Sequence, residues 1–459
     1  EGEARRANCA AVIAGGRIIR KVQKTLLPGY DVYDEKRYFK PGPVEEIGPV
    51  DVEAGGRRIK LGVQVCEDLW SETYGYNVTQ RLAETGAELI VNCSASPYHI
   101  GKDRVREGLV EREVRVSGVP MVYVNQVGGQ DEVVFDGRSF AMDAAGTIGA
   151  RGPAFEEALT VFEIDDGGKC AGEAARPGMS VEEEIVRAHV LNLRDYVRKQ
   201  GIFKGIVVGT SGGLDSAYTL YIASQAVGPE NTLSIAMPSR FSSDHSRSDA
   251  AQLAANLGVR HKEIPIGKMF EAGLDTFKDA FGETEFGVAE ENEQARCRMQ
   301  ILMKISQKFD YLVCTTGNKS EIGVGYWTLY GDGGGGKNVP GDLFKTELYS
   351  VARHINRERE IIPWNTIEKP PSAELRPNQK DTDSLPPYEV LDDILKMLVE
   401  ERRSPEHIVR TGHDAETVKR VVRMYKIGEF KRGQMPQGIK IKPKAFGTGR
   451  RMPVTNHWL

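Results

Sequence analysis

The chain of 459 residues carries 61 lysine and arginine residues against 65 aspartate and glutamate residues, a net charge of −4, and its length predicts two or three domains. Its composition, 40% hydrophobic and 27% charged, is ordinary for a soluble protein, and its balanced charge argues against a nucleic-acid partner or an anionic membrane surface. No stretch approaches the roughly 18 continuous apolar residues that a membrane-spanning helix needs.

The first part of the chain, to about residue 170, alternates short apolar runs with helical stretches. Apolar runs that predict strands lie at residues 10–14, 61–65, 88–91 and 121–124. Helices are predicted at residues 81–85 and 105–117. This alternation is typical of an α/β domain, which we place at residues 1–170.

A second domain, residues 180–459, is predicted after a glycine-rich linker at residues 166–179. Ser180 and Glu183 have the spacing of a capping box, and a helix over residues 181–200 is predicted to end at Gly201. Predicted strands at 205–209, 232–236, 263–266 and 311–315 then alternate with predicted helices at 217–226, 246–256 and 293–307. This order predicts parallel βαβ units and a doubly wound sheet. A later glycine run at residues 333–336 predicts a mobile loop.

The sequence Ser-Gly-Gly-Leu-Asp-Ser at residues 211–216 follows an apolar strand and precedes a helix. Gly212 and Gly213 let the backbone approach an anion closely, and the helix N-terminus directs free N–H groups toward it. Ser211 and Ser216 can add hydroxyl donors, and the Asp215 carboxylate suits Mg²⁺ bound to phosphates. The Gly-Lys-[Ser/Thr] ending of a Walker A loop is absent. A glycine-rich turn with a capping aspartate is the plainer alternative, but the strand–loop–helix context favours a phosphate site.

This loop resembles the pyrophosphatase loop of the N-type ATP pyrophosphatases, which adenylylate a carboxylate or carbonyl, release pyrophosphate and let ammonia displace AMP. Further motifs follow in order: Met-Pro-Ser-Arg at 237–240, Thr-Gly-Asn-Lys-Ser-Glu at 316–321, Tyr-Gly-Asp at 330–332 and Pro-Pro-Ser-Ala-Glu-Leu-Arg at 370–376. Together these motifs resemble those of the glutamine-dependent NAD synthetases over nearly the whole chain. The resemblance implies ATP-dependent amidation of nicotinic acid adenine dinucleotide (deamido-NAD) to NAD, with ATP and Mg²⁺ required.

The resemblance also implies roles for individual residues of the second domain. The implied contacts are, for ATP, Ser211, Gly212, Gly213, Asp215, Ser216 and Thr316; for Mg²⁺, Asp215 and Glu321; and for deamido-NAD, Arg296, Arg298, Lys345 and Asp332. Cationic side chains suit substrates that bring many negative charges together. Where the family usually has Gly-Asp-Met-x-Gly-Gly, this chain has four consecutive glycines at 333–336, and the extra glycine is expected to lower the order of the loop.

In the first domain, Cys66 ends an apolar strand in the sequence Gly-Val-Gln-Val-Cys-Glu-Asp at residues 62–68. A lone cysteine in this position is most simply a buried apolar residue. However, residues 23–30 and 34–39 resemble the lysine segment of the nitrilase superfamily, which hydrolyses amides with a Glu-Lys-Cys triad. The resemblance implies that Cys66 is the nucleophile, that Lys24 stabilises the oxyanion and that Glu35 is a supporting glutamate. The implied contacts of glutamine are Tyr30, Glu67 and Ser96.

The general-base glutamate of that triad is expected to be missing. In the superfamily it precedes the lysine segment by a long stretch, whereas only 23 residues precede Lys24 here, and Glu1 and Glu3 stand in the wrong local context. The start at Glu1 instead of Met suggests a fragment of a longer protein or a processed form. We therefore expect an incomplete nitrilase-type α-β-β-α sandwich and poor glutaminase activity from the chain as it stands.

Three alternative functions stay open at this level. The first is an ammonia-dependent NAD synthetase whose front domain is only structural. The second is another enzyme with a pyrophosphatase loop, such as a GMP or asparagine synthetase, although those lack a nitrilase-like front domain. The third is a nucleotide-binding regulatory protein with an inactive site, against which the intact Asp215 and Glu321 argue.

The six cysteines are scattered and form no Cys-x-x-Cys pair, which disfavours a zinc site or a disulfide framework. A reducing cytoplasm is the expected location. The expected partners are small-molecule substrates, without nucleic acid or membrane. By resemblance, we expect a homo-oligomer built from dimers of the second domain.

Overall fold

The structure is a computed structural model that describes residues 6–54, 56–165, 167–173, 178–377, 379–450 and 452–455. The chain divides into two units. The first unit holds the described residues up to Gly128 and those of Val134–Met179, and the second holds Gly129–Val133 and the described residues from Ser180 onward. The chain therefore enters the second unit twice.

The first unit combines short strands with three helices among the described residues. The strands are β1 (Cys9–Ala14), β2 (Arg17–Gln23), β3 (Val50–Ala54), β4 (Arg57–Val65), β5 (Leu89–Ser94), β6 (Met121–Asn125), β7 (Val127–Gln130), β8 (Val133–Asp136), β9 (Phe140–Met142), β10 (Ile148–Arg151), β11 (Phe162–Ile164) and β12 (Cys170–Gly172). The helices are α1 (Glu35–Tyr38), α2 (Val78–Glu84) and α3 (Lys102–Ser117), with 3₁₀ turns at Val44–Glu46, Cys66–Leu69 and Ser71–Thr73.

A six-stranded mixed sheet, in the order β10-β9-β6-β5-β4-β3, organises the first unit. Its middle strands β4, β5 and β6 are parallel, whereas β3 and β9 pair antiparallel at their flanks. Leu82 of α2 and Val110 of α3 form one core with Ile90 and Met121 of the sheet. Three two-stranded sheets, β1–β2, β7–β8 and β11–β12, stand outside this sheet, and Gly129 and Gln130 of β7 and Val133 of β8 belong to the second unit. The predicted α/β class is confirmed.

The second unit contains five strands and twelve α-helices in the part of the chain that the structure describes. The strands are β13 (Gly205–Gly209), β14 (Thr232–Ala236), β15 (Arg260–Glu263), β16 (Tyr311–Thr315) and β17 (Lys337–Asn338). The helices are α4 (Val181–Gln200), α5 (Leu214–Val227), α6 (Asp244–Leu257), α7 (Gly267–Phe281), α8 (Val288–Phe309), α9 (Lys319–Val324), α10 (Lys345–Ile355), α11 (Trp364–Glu368), α12 (Tyr388–Leu395), α13 (Pro405–Arg410), α14 (Ala415–Ile427) and α15 (Glu429–Arg432). Shorter segments are 3₁₀ turns at Pro229–Asn231 and Asp381–Asp383 and a π-helical turn at Lys396–Glu400.

The sheet of the second unit is fully parallel, in the order β15-β14-β13-β16-β17. Val207 on β13 and Val313 on β16 pack with Leu302 of α8. Because neighbouring side chains on a strand point to opposite faces, Ile206 and Val208 face the other side, where α5 lies against β13. The strand order reverses between β13 and β16, and ligands of doubly wound sheets bind at such a reversal, beyond the carboxyl ends of the strands. The predicted doubly wound sheet is confirmed.

The helix predicted at residues 181–200 is α4, and its ends follow the expected rules. The Ser180 hydroxyl accepts from the Glu183 N–H at 3.2 Å, and Gly201 ends the helix with φ of +67°. The Glu183 carboxylate itself accepts from Arg187 at 2.8 Å. In the described residues no helix has the length and apolar character to cross a membrane.

The strand predicted at residues 263–266 was wrong, because the paired residues are those of β15, Arg260–Glu263. Its neighbour β14 ends at Ala236, and Pro238 has no N–H with which to continue the ladder. Ile266 is buried in the core beside α7, and Ile264 is partly buried against the same core. Their N–H groups donate to the Ala236 and Pro238 carbonyls at 2.8 and 3.1 Å, so this segment follows β14 beyond the assigned strand before α7 begins.

The glycine run at residues 333–336 is closely packed. A Cβ on Gly333 would lie 2.0 Å from Cε3 of Trp327, and one on Gly335 would lie 2.5 Å from Cγ2 of Thr315. Gly335 also has φ of +136°, which side chains rarely adopt. Where the sequence predicted only a mobile loop, the glycines have a packing role beside the end of β16.

Candidate functional site

Cys66 lies directly after the last residue of β4, where the chain turns sharply. Its φ of +48° is in the left-handed region, which is uncommon for a residue with a side chain and typical of constrained positions. The 3₁₀ turn Cys66–Leu69 begins there, and the residue is buried. Burial raises the pKa of the thiol, while the nearby Lys24 ammonium and the Ala95 N–H oppose this effect. The thiol is thus held beside a cation that stabilises its reactive, ionised form.

Lys24 and Glu35 form an ion pair beside this cysteine. The Lys24 ammonium donates to both carboxylate oxygens of Glu35, at 2.7 and 2.8 Å. Lys24 follows β2 and is 1% exposed, and Glu35 begins α1. The structure thus brings together three residues that the sequence predicted as a group, Cys66, Lys24 and Glu35.

The buried carboxylate of Asp68 joins the lysine segment to the cysteine turn. One oxygen accepts from the backbone N–H groups of Thr25 and Leu26, at 2.9 and 2.8 Å. The other accepts from the Val65 N–H at 2.9 Å. Three hydrogen bonds to one carboxylate therefore fix the backbone that carries Lys24 against the backbone that carries Cys66.

Glu67 accepts hydrogen bonds from two tyrosines. The Tyr30 hydroxyl donates to its oxygens at 3.0 and 3.1 Å, and the Tyr74 hydroxyl donates at 3.0 Å. Burial raises the pKa of Glu67, and these hydrogen bonds oppose the effect. Tyr30 and Glu67 were predicted together, whereas Tyr74 carried no signal in the sequence that would have linked it to them.

Ser96 belongs to a buried polar network. Its hydroxyl accepts from Nε of Arg106 at 3.2 Å, and its N–H donates to Asn125 at 2.9 Å. Arg106 is held by Asp136 at 2.6 Å. The neighbouring Ala95 N–H lowers the pKa of the Cys66 thiol, so this network fixes a segment at the edge of the cysteine site. Glu1 and Glu3, which were weighed as bases, lie outside the described residues.

The predicted phosphate loop of the second unit connects β13 to α5. Gly212 has φ of +77°, and a Cβ on it would lie 2.2 Å from the Ser246 carbonyl oxygen, so only glycine fits. The Ser216 hydroxyl accepts from the Ser211 N–H at 3.2 Å and donates to the Gly213 carbonyl at 2.9 Å. The loop is therefore held in a defined shape, with the first turn of α5 behind it.

Lys345 lies between the two carboxylates that the sequence predicted to hold Mg²⁺. Its ammonium forms an ion pair with Asp215 and lies 3.8 Å from Glu321. Although burial alone would lower the pKa of Lys345, the two carboxylates raise it above its ordinary value. Burial and the proximity of Asp215 raise the pKa of Glu321. The two carboxylates therefore form a site that needs positive charge.

Asn318 connects the loop after β16 to this site. Its side-chain amide donates to Asp215 at 2.7 Å, and its oxygen accepts from the Glu321 N–H at 3.0 Å. Glu321 in turn accepts from the Asn318 N–H at 3.3 Å, which completes a capping box at the start of α9. The Asn-x-x-Glu spacing in the sequence is the signal that could have identified Asn318.

A cavity of about 590 Å³ lies over the ends of β13 and β16. The predicted residues that line it are Ser211, Gly213, Asp215, Ser216, Arg298, Thr316, Glu321, Asp332 and Lys345. Two predicted residues are absent from this lining in the described part of the chain: Gly212 supports the loop against α6, and Arg296 donates to the Leu329 carbonyl at 3.3 Å.

Arg298 and Asp332 both line the cavity, and their opposite charges interact. Arg298 donates to the Met237 carbonyl at 3.0 Å, and Asp332 accepts from the Thr328 N–H at 2.9 Å. Burial lowers the pKa of Arg298, and Asp332 opposes this effect. The wall of the cavity therefore carries both cationic and carboxylate side chains. The described residues contain no group of three or more His, Cys, Asp or Glu side chains that could hold a metal ion.

Comparison with known proteins identifies both units. The carbon-nitrogen hydrolase family model matches residues 4–168, and the NAD synthase family model matches residues 185–436. The chain is 44% identical to a glutamine-dependent NAD(+) synthetase from Synechocystis sp., over 99% of this chain and 82% of that protein. It is 43% identical to the one from Thermotoga maritima, over 98% and 83%.

A solved structure agrees with this similarity. The structure of glutamine-dependent NAD+ synthetase from Acinetobacter baumannii in complex with ADP superposes with a TM-score of 0.74 at 37% identity. The match covers 99% of this chain and 82% of that chain.

Proposed function

Since the chain belongs to the family of glutamine-dependent NAD synthetases, ligases that amidate deamido-NAD at the expense of ATP with glutamine as nitrogen donor, we propose which of its residues carry each step. The predicted N-terminal domain, about residues 1–170, would hydrolyse glutamine, and the predicted C-terminal domain, about residues 180–459, would form NAD. The proposal rests on two pairs of neighbouring side chains, Cys66 with Lys24 and Asp215 with Lys345.

In the first unit, the Cys66 thiolate attacks the side-chain amide carbon of glutamine. The Lys24 ammonium stabilises the oxyanion that forms, and Glu35 orients this ammonium. Ammonia leaves, and water hydrolyses the resulting thioester to glutamate. The Glu67 carboxylate, oriented by Tyr30, suits the α-ammonium group of glutamine. Ser96 supports the wall of the same site.

In the second unit, the nicotinate carboxylate of deamido-NAD attacks the α-phosphorus of ATP. Pyrophosphate leaves, and ammonia then displaces AMP from the adenylate to give NAD. The loop 211–216 and Thr316 are proposed to bind ATP, and Lys345 and Arg298 to offset the charge that accumulates. Asp332 lines the reaction centre beside Arg298, whereas Arg296 would reach deamido-NAD only after leaving the Leu329 carbonyl.

Asp215 and Glu321 are the residues that would hold Mg²⁺. Mg²⁺ prefers oxygen ligands and commonly binds through one or two carboxylates together with phosphate oxygens, and this pair of carboxylates fits that preference. When bound, the ion would screen the phosphates and stabilise charge on the departing pyrophosphate. Asn318 orients the Asp215 carboxylate for this purpose.

The test is NAD formation from deamido-NAD, ATP and Mg²⁺ with ammonium or glutamine as nitrogen source. We expect turnover with ammonium, its loss in Asp215→Asn, and its retention in Cys66→Ala. Turnover with glutamine that is lost in Cys66→Ala would support the assignment of the first unit, and turnover with ammonium alone would count against it. Absence of NAD in both arms, with ATP still bound, would overturn the assignment of the second unit.

We also propose a reducing cytoplasm as the location, because all six cysteines are free. A homo-oligomer built from dimers of the second unit is the proposed assembly, by resemblance to the family. Size-exclusion chromatography with light scattering tests it, and a monomer at micromolar concentration would contradict it.

A further inference from the structure

Asp392, on α12, links the first turns of two helices that face the synthetase cavity. One carboxylate oxygen accepts from the Ser320 hydroxyl of α9. The other accepts from the N–H and the hydroxyl of Thr346 of α10, at 2.9 and 2.8 Å. Asp392 is 5% exposed and does not line the cavity. Asp392 therefore contacts the two helices that carry cavity residues but is not itself exposed to the cavity.

The contacts close into a ring through the backbone of Lys345. The Lys345 N–H donates to the Ser320 hydroxyl oxygen at 2.9 Å, and that hydroxyl donates onward to Asp392. Thr346, the next residue, returns to the same carboxylate. The start of α10 is thus tied to the start of α9 at two adjacent residues, through one side chain of a third helix.

Two of the charged residues that line the cavity lie next to this ring. Glu321 follows Ser320, and Lys345 precedes Thr346. The Lys345 ammonium lies 3.8 Å from the Glu321 carboxylate. A displacement of α10 against α9 would change this separation directly, since each charged residue is one position from a residue of the ring.

We propose that Asp392 is a positioning residue of the synthetase reaction, which holds Lys345 in register with Glu321 through Ser320 and Thr346. The inference rests on the proposed function of the cavity. Because alignment of reacting groups contributes strongly to catalysis, a small displacement of Lys345 lowers the rate even when the protein remains folded. The family resemblance and the sequence motifs assign no role to this aspartate.

Removing the carboxylate in two stages tests the idea. Asp392→Ala loses both carboxylate acceptors of the ring, whereas the Ser320 hydroxyl oxygen that accepts from the Lys345 N–H remains. Asp392→Asn keeps one acceptor for Thr346 and can donate to the Ser320 hydroxyl, so it should restore part of the activity. The matched control is Asp393→Ala, because Asp393 is the next residue of α12, its side chain is 57% exposed, and it pairs with His413 at 2.9 Å.

The measurement is ammonium-driven NAD formation by the full chain, per folded molecule, with thermal unfolding recorded for each variant. We expect kcat to fall roughly 10–100-fold in Asp392→Ala, as is usual when a residue supporting a reactive group is lost. It should fall less in Asp392→Asn and within about twofold in Asp393→Ala, with the KM for deamido-NAD little changed in all three. Adding Ser320→Ala to Asp392→Ala should lower kcat no further, because both residues act in one ring.

An unchanged kcat in Asp392→Ala, with only a lower unfolding temperature, would reduce Asp392 to a structural role and overturn the proposal. Multiplicative effects of Ser320→Ala and Asp392→Ala would overturn it as well. If Asp392→Ala does not fold, Asp392→Asn and Thr346→Val, which keeps the N–H and loses the hydroxyl, decide the question by the same readout. Failure of the unaltered chain to make NAD from ammonium would instead count against the proposed function.

Discussion

The Lys24 ammonium donates to both oxygens of the Glu35 carboxylate, at 2.7 and 2.8 Å. The two charges of this ion pair shift the pKa of the Cys66 thiol in opposite directions. Lys24 lowers the pKa of the thiol and Glu35 raises it. Lys24→Met should therefore slow alkylation of Cys66 by iodoacetamide roughly tenfold at neutral pH, and Glu35→Gln should accelerate it.

Alkylation of Cys66 is followed by peptide mass mapping, with Cys93 as the internal reference because its pKa reflects only its own burial. Asp51→Asn is the matched control, since Asp51 forms an exposed ion pair with Arg58 at 2.7 Å on the β3–β4 hairpin. If Lys24→Met and Glu35→Gln changed the rate in the same direction, the electrostatic account of this site would be wrong.

Glutamine affinity should depend on the two tyrosines that orient Glu67. Loss of a hydrogen bond to a charged group costs about 1.5–3 kcal/mol, so Tyr30→Phe and Tyr74→Phe should each raise the Kd for glutamine at least tenfold. Titration calorimetry on a Cys66→Ala background measures the affinity without turnover. Tyr76→Phe is the control, because the Tyr76 hydroxyl has no hydrogen-bond partner in the described structure. Equal effects of all three variants would refute a specific role for Glu67.

ATP binding should depend on the absence of a side chain at Gly212. In Gly212→Ala the methyl group would collide with the Ser246 carbonyl in a backbone conformation with φ of +77°, so the loop must move. We expect the Kd for ATP to rise at least tenfold, equivalent to about 1.4 kcal/mol. Gly267→Ala, at the start of α7 with open space around it, should leave the Kd unchanged. An unaltered Kd in Gly212→Ala would show that ATP does not contact this loop.

Acid should destabilise the protein through His189. This histidine of α4 is fully buried, and burial lowers its pKa to about 4 despite a bond to the Ile185 carbonyl and the proximity of Asp342. Its folded pKa thus lies below its unfolded value of about 6.5, so the unfolded chain binds more protons between pH 6.5 and pH 4. Stability from this group is complete above pH 6.5 and declines as pH falls, by about 3 kcal/mol at pH 4.

His189→Gln removes this titration. The difference in unfolding free energy between the unaltered chain and His189→Gln should therefore shrink steadily as pH falls from 6.5 to 4. Denaturant unfolding at several pH values measures it. Tyr218, whose hydroxyl lies 2.7 Å from Nδ1 of the ring, provides a control in Tyr218→Phe, which should keep the same pH dependence. A constant difference across this range would contradict a depressed pKa.

Features that depend on local chemistry were predictable from the sequence. The bounds of α4 follow from Ser180 and Gly201, and those of β13, β14 and β16 follow from apolar runs between turn residues. The loop 211–216 was recognisable because glycines, hydroxyls and a carboxylate stand together between a strand and a helix. In each case, the residues that determine the local structure lie within a few positions of it in the sequence.

Features that depend on distant contacts were not predictable in this way. Tyr74 joins Tyr30 at Glu67, and Asp392 joins Ser320 to Thr346, only because the fold brings together residues far apart in the chain. β15 was misplaced because burial of Ile264 and Ile266 resembles strand burial when only the pattern is visible. Arg296 was grouped with Arg298 by its neighbourhood, yet their guanidinium groups bond to different carbonyls, those of Leu329 and Met237.

The five residues Gly129–Val133 determine how the enzyme can be divided. The Lys337 ammonium, fully buried, donates to the Asp131 carbonyl at 2.7 Å, and the Asn192 amide donates to the Val133 carbonyl at 2.9 Å. A synthetase unit expressed from Ser180 onward would lack these acceptors and leave a buried cation without its carbonyl partner. Cutting the gene at the linker therefore does not separate two independent modules. An autonomous synthetase would need this pentapeptide restored in trans or grafted into the shortened chain.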